Sequence, residues 1–157
     1  MAPPDHTDPR HVEIDGRPLV VTGPDHRLSM VYGGGGVFGI AYGAGVAQGL
    51  AAQGIPVGRA PALGTSAGSW VASAIALGMD FEDFQDLEAP PVPTQRTGAP
   101  HEIALRVFGD AKHPLVAVSA VAVRSRRRHI LDGGRYPLAD LVAASSAVPG
   151  LLPPHRI

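Results

Sequence analysis

At 157 residues and a net charge of −1, the chain is long enough for one domain with a core and too short for two, and no global field draws it to nucleic acid. It has no cysteine, which removes disulfides, a thiol nucleophile and thiolate metal sites. Hydrophobic residues make up 45 %, many of them alanine, and with 20 Gly and 16 Pro the expected core is built from small side chains on closely approaching elements.

Residues 1–27 are polar and Pro-rich and read as a flexible leader, with the domain proper over 28–157. The opening "MAPPDHTDPRH" lacks the basic flank and apolar run of an export signal. Within the leader, "VEIDGRPLVV" has the alternation and the Asp15-Gly16 pair of a hairpin. No uninterrupted apolar run approaches the roughly 18 residues of a membrane span. The expectation is a cytoplasmic protein, with transient peripheral contact at a membrane left open.

"LSMVY" (28–32) suits a short buried parallel strand. After four glycines, "VFGIAYGAGVAQGLAAQG" predicts a helix that stops at Gly54 and packs tightly on its neighbours, since Gly43, Gly45 and Gly49 each cost about 1 kcal/mol of helix stability. "APAL" (60–63) predicts a second strand and "AGSWVASAIAL" (67–77) a second helix, so two βα units imply a parallel sheet with right-handed crossovers. Trp70 reads as core. "DFEDFQDLE" (80–88) predicts a short acidic helix for which Phe81 and Phe84 are anchors first and lining of an acyl entrance second, and residues 89–101 a proline-rich loop. A strand over 114–123, a basic turn carrying Arg124, Arg126, Arg127 and Arg128, and a returning strand follow. "YPLADLVAASSAV" (136–148) predicts a last helix, opened by Pro137 and stopped by Pro149.

Two glycine motifs carry chemistry. Gly34, Gly36 and Gly39 satisfy G-x-G-x-x-G between a strand and a helix, where bare amides and a helix N-terminus make an anion cradle. A dinucleotide pyrophosphate is one candidate anion, but no Asp or Glu lies between His26 and Met79 to hold a ribose, which leaves only Arg59 for a 2′-phosphate. "GTSAG" (64–68) satisfies G-x-S-x-G between a strand and an apolar helix. A sharp strand-to-helix turn strains the serine backbone, exposes its Oγ, and needs small neighbours, here Gly64 and Gly68. The plainer alternative is an ordinary Ser N-cap. Together the motifs put a nucleophile, Ser66, beside amides that can hold an oxyanion.

"GGGGVFG", "GTSAG" and "AASSAVPGLLPP" occur in the order and approximate spacing of the patatin-like phospholipase domain, and the chain resembles that family from about Leu28 to Ile157, closest to bacterial members with a "GGGG-x-x-GIA" start. The resemblance implies a three-layer α/β/α fold with a mostly parallel central sheet, incomplete at its C-terminal end. It also implies a serine acyl hydrolase acting on lipid esters through a Ser–Asp dyad, with no cofactor, no metal and no catalytic histidine. Ser66 matches the nucleophile, and Gly34, Gly35, Gly36 and Gly39 match the oxyanion loop. Where many relatives carry Arg or Lys before the last loop glycine, this chain has Phe38, so the oxyanion rests on backbone donors. The dyad aspartate of the family follows the "ASSAVPG" segment, and this sequence stops at Ile157 before one occurs. An inactive or purely lipid-binding relative is the alternative expectation.

Other residues of the sequence could supply a base. Asp132, in "DGG" (132–134), precedes the "ASSAVPG" segment and reads first as a turn residue. A Ser–His–Asp triad would combine Ser66 with Asp110 or Asp132 and with His129 or His155. His6, His11, His26, His101 and His113 read as solvated, and no histidine pair has helical metal-ligand spacing with a third ligand. The arginine turn reads as solvated, with contact to anionic head groups as its functional option.

Overall fold

The computed structural model describes residues 13–14, 17–18, 28–80, 82–84, 94 and 96–157. The strands are β1 (Glu13–Ile14), β2 (Arg17–Pro18), β3 (Met30–Tyr32), β4 (Ala62–Thr65), β5 (Val116–Val121) and β6 (Arg128–Asp132). The α-helices are α1 (Gly36–Ala52), α2 (Ala67–Ala76), α3 (Ala99–Phe108) and α4 (Leu138–Ser146). One mixed sheet runs in the order β2-β1-β6-β5-β4-β3. Strands β3, β4 and β5 are parallel, β6 is antiparallel to β5, and β1 returns parallel to β6. The hairpin read from "VEIDGRPLVV" is present as β1–β2, with Glu13 opposite Pro18, so the sheet reaches into the segment expected to be a leader. Pro18 lacks an amide hydrogen and sits on the outermost strand, where none is needed.

The α/β class holds, with β3-α1-β4-α2-β5 as the expected pair of βα units. Register sorts the sheet residues onto two faces. Tyr32, Ala62, Gly64, Val116 and Val118 point one way and are buried, four of them in the hydrophobic core with Trp70, Val71, Leu138, Leu141 and Val142. Val31, Leu63 and Ala117 share one register row on the other face and take no part in that core. Val31 is 75 % exposed. Among the described residues the layers are therefore two, helices over one face of the sheet, rather than the three expected.

Helix α1 departs from expectation. Of its residues only Ala44 and Ala47 are buried. Phe38, Tyr42 and Val46 recur at helical spacing on its outer side, with Phe38 79 % and Tyr42 66 % exposed. The helix packs closely on α2 at Gly39 and Gly43, as expected of its glycines, but presents an apolar stripe on its other side.

Helix α3 lies where the sequence predicted a loop up to residue 101 and nothing regular beyond. Pro100 suggests a loop from sequence, but it sits in the first turn, where its missing amide hydrogen costs nothing. Gly98, with φ of 86°, turns the chain into the helix. Ala104 and Phe108, four residues apart, point into the core, and the Phe108 ring meets Trp70 at 5.6 Å. Phe84 is buried in the core beside a short 3₁₀ turn, as an anchor should be, while Phe81 lies outside the described residues.

Candidate active site at the strand-to-helix elbow

The site is built at the carboxyl ends of β3 and β4. Ser66 joins β4 to α2 with φ 51° and ψ −120°, a backbone state that a residue with a side chain enters only under constraint. The constraint is close approach. A Cβ at position 68 would lie 2.0 Å from the Tyr32 carbonyl oxygen, and one at 64 would lie 2.5 Å from the Gly68 carbonyl oxygen. Helix α2 therefore starts directly against the backbone of β3 and β4, and only glycine fits at either position.

Ser66 occupies the N-cap position of α2, yet its side chain makes no capping hydrogen bond. Ser69 does the local bonding instead, donating from Oγ to the Ser66 carbonyl at 2.6 Å. The Ser66 backbone N–H donates to Ser145 Oγ at 2.8 Å, and Ser145 Oγ donates onward to the Ser119 carbonyl at 2.7 Å. Next to it, Trp70 Nε1–H donates to Ser146 Oγ at 3.0 Å. The serine pair of "AASSAVPG" thus clamps the elbow from α4. Sequence reading singled out that segment for its resemblance, but the clamp joins positions 79 residues apart and leaves no local signal.

The glycine loop lies beside Ser66. A Cβ on Gly34 would meet Ser66 Cβ at 3.8 Å, and one on Gly39 would meet Ala67 Cβ at 3.2 Å. Gly34, Gly35 and Gly36 donate to no backbone acceptor among the described residues. Gly39 differs, because its N–H closes the first turn of α1 onto the Gly35 carbonyl at 2.9 Å. Its amide is thus engaged within the helix, and the position packs closely on Ala67. Ala67 opens α2 directly after the serine, so its amide lies at the helix N-terminus beside Ser66. Phe38, in the position of the expected cation, points outward and stacks on Tyr42 at 6.1 Å between ring centroids.

An apolar groove of about 320 Å³ runs from this loop along the free edge of β3. Met30, Val31, Tyr42, Val46 and Val71 line its walls, and Gly33, Gly34 and Gly68 form the end nearest the elbow. Tyr32 also borders it, and burial pushes its phenol pKa up from the ordinary value.

The candidate bases are elsewhere. Asp132 ends β6, opposite Ala117, and β6 runs toward the amino ends of β4 and β5, away from Ser66. Its Oδ1 accepts the Gly134 N–H at 2.8 Å, as a turn residue's does. Asp110 and His129 are exposed. His155 pairs with Asp140 rather than with Asp110 or Asp132, so no triad forms at Ser66 among the described residues. Arg59 precedes β4 at the amino end of the sheet, the opposite end from the glycine loop, and no 2′-phosphate held by that loop would reach it. His101 is half-buried against Asp140, and His113 Nδ1 accepts the Leu115 N–H at 3.3 Å, so neither is the solvated residue expected. His6, His11 and His26 lie outside the described residues. Arg124, Arg126 and Arg127, on the turn at the carboxyl end of β5, and Arg128, which opens β6 opposite Val121, are all exposed and lie on the same sheet edge as Ser66. Among the described residues no helix is long and apolar enough to cross a membrane.

No family model matches the chain, and no curated protein matches it significantly.

Proposed function

We propose that the chain is a patatin-like serine acyl hydrolase acting on carboxylic esters of lipids. The observation that carries this reading is Ser66, held at φ 51° with its hydroxyl unused for capping, beside a loop whose glycine amides donate to no backbone acceptor among the described residues. A capping serine has no need of positive φ, whereas an exposed nucleophile on a strand-to-helix turn does.

Ser66 Oγ attacks the ester carbonyl and loses its proton. The amides of Gly34, Gly35, Gly36 and Ala67 face the developing oxyanion. Collapse of the tetrahedral species breaks the ester C–O bond, the alcohol leaves with a proton, and water then releases the acid from the acyl-enzyme. The apolar groove suits an acyl chain, and the arginines on the same edge suit an anionic head group or membrane surface. The aspartate that the family resemblance implies as proton acceptor has no counterpart within residues 1–157, and none of the described carboxylates hydrogen-bonds Ser66, so the base for this step is not supplied by any described group.

That last fact favours a second reading, a lipid-binding relative without turnover. Hydrolysis of a medium-chain p-nitrophenyl ester separates the two. The first reading predicts turnover that Ser66→Ala removes. Saturable binding of the ester with no turnover would support the second, and turnover that survives Ser66→Ala would sink the first.

A further inference from the structure

We propose that His101, Asp140 and His155 form a site for one zinc-class divalent ion, separate from the Ser66 elbow. The three side chains arrive from distant parts of the chain: the first turn of α3, the first turn of α4 and the C-terminal tail. His101 Nε2 lies 3.0 Å and His155 Nε2 2.9 Å from the same oxygen, Asp140 Oδ1. All three ligand atoms fall within 4.8 Å of one another. The two imidazoles stack at 4.4 Å between centroids, with planes 18° apart, so both rings present the same nitrogen to the same point.

The dimensions suit an ion. Metal–ligand bonds of about 2.0–2.1 Å in a tetrahedral site set neighbouring donor atoms roughly 3.3 Å apart. The observed nitrogen–oxygen separations need to open by only a few tenths of an ångström to admit one. The donors are of the right kind too: two imidazoles and a carboxylate favour zinc among borderline divalent ions, and the open fourth position suits water. The side chains of His101, Asp140 and His155 are 28 %, 30 % and 19 % exposed, so the site is half-sheltered and still reachable from solvent.

The site would fasten the tail after α4 to the start of α3 and α4. Asp140 lies five residues before Ser145, about 7.5 Å along the helix at 1.5 Å per residue. Ligation at one end of α4 therefore fixes the helix that clamps the elbow at its other end.

The test is zinc sulfate titration of the chelator-treated 157-residue chain by calorimetry, with cobalt(II) as a spectroscopic stand-in. The expected result is one saturable zinc per chain and the visible bands of four-coordinate cobalt. His155→Gln and Asp140→Asn should each weaken zinc by more than the roughly 10–100-fold that loss of an outer-shell partner costs. His129→Ala, an exposed histidine elsewhere, should change nothing. His155→Gln lies in the tail and keeps the test usable if Asp140→Asn does not fold, and matched urea midpoints of the metal-free forms verify this. Absence of saturable zinc uptake overturns the site and leaves a proton-held clamp. Uptake that survives His155→Gln unchanged overturns it as well.

Discussion

The elbow and the glycine-rich stretch before it use the same residue for opposite purposes. At Gly64 and Gly68 a single methyl group would run into backbone atoms at 2.5 and 2.0 Å. At Gly33, Gly36, Gly45 and Gly49 it would meet nothing within 4 Å. The first pair lets α2 seat against β3 and β4, so those glycines are required by space. In the loop the requirement is mixed: Gly36 needs glycine for its positive φ of 60°, Gly35 for space, since a Cβ there would lie 2.8 Å from Gly39 Cα, and Gly33 for neither. One region is fixed from every side, and the other is open to solvent and to whatever binds there.

The sharpest way to break this contrast is Gly68→Ala. Overpacking usually costs about 1–3 kcal/mol, and here the obstacle is backbone that cannot step aside, so a loss of at least about 3 kcal/mol is expected in urea unfolding. A loss below about 1 kcal/mol would mean that the elbow is not held as described. Ser145→Ala comes next. It strips the acceptor from the Ser66 N–H, and an orphaned donor costs about 1–3 kcal/mol. Ser145→Thr, which keeps a hydroxyl, should recover part of that loss.

Two smaller changes go in the stabilising direction. Ser66→Gly releases the positive-φ strain and should gain roughly 1 kcal/mol, whereas Ser66→Ala keeps the strain and should not. A stability gain bought with loss of the reactive group is the pattern of a strained functional residue. Gly45→Ala, exposed on α1 with free space around it, should also gain up to about 1 kcal/mol from helix propensity alone. If Gly45→Ala destabilised the chain instead, α1 would have to be packed on the side that is open here.

Legibility in the sequence followed locality. The elbow was readable because "GTSAG" compresses strand end, nucleophile and helix start into five residues, each constrained by its neighbours. The βα order was readable from short apolar runs punctuated by glycine. Helix α3 was hidden because Pro100 signals a loop unless the helix is seen to begin beside it. The exposure of α1 was also hidden, since an apolar helix looks buried whichever elements surround it. The Ser145 clamp and the His101–Asp140–His155 cluster are tertiary, joining segments whose spacing carries no period. That the Gly39 amide is taken up by the first turn of α1 was hidden as well, because it depends on where the helix begins.

The phenol of Tyr32 offers the smallest test. It is buried with no hydrogen-bond partner among the described residues, so Tyr32→Phe should be neutral or slightly stabilising. Its raised pKa gives the sign with pH. The neutral form is favoured in the folded state, so this group's contribution is intact below the ordinary phenol range and is lost as pH rises above it. Tyr32→Phe should therefore flatten the alkaline fall in urea midpoint, and an unchanged fall would assign it to other groups.

The most direct measurement is fluorophosphonate labelling of the folded 157-residue chain, read by peptide mass mapping beside Ser66→Ala. An adduct confined to the peptide that carries Ser66, and absent from Ser66→Ala, is the predicted result. A folded chain that takes no label, or takes it equally without Ser66, would contradict an activated serine at this elbow.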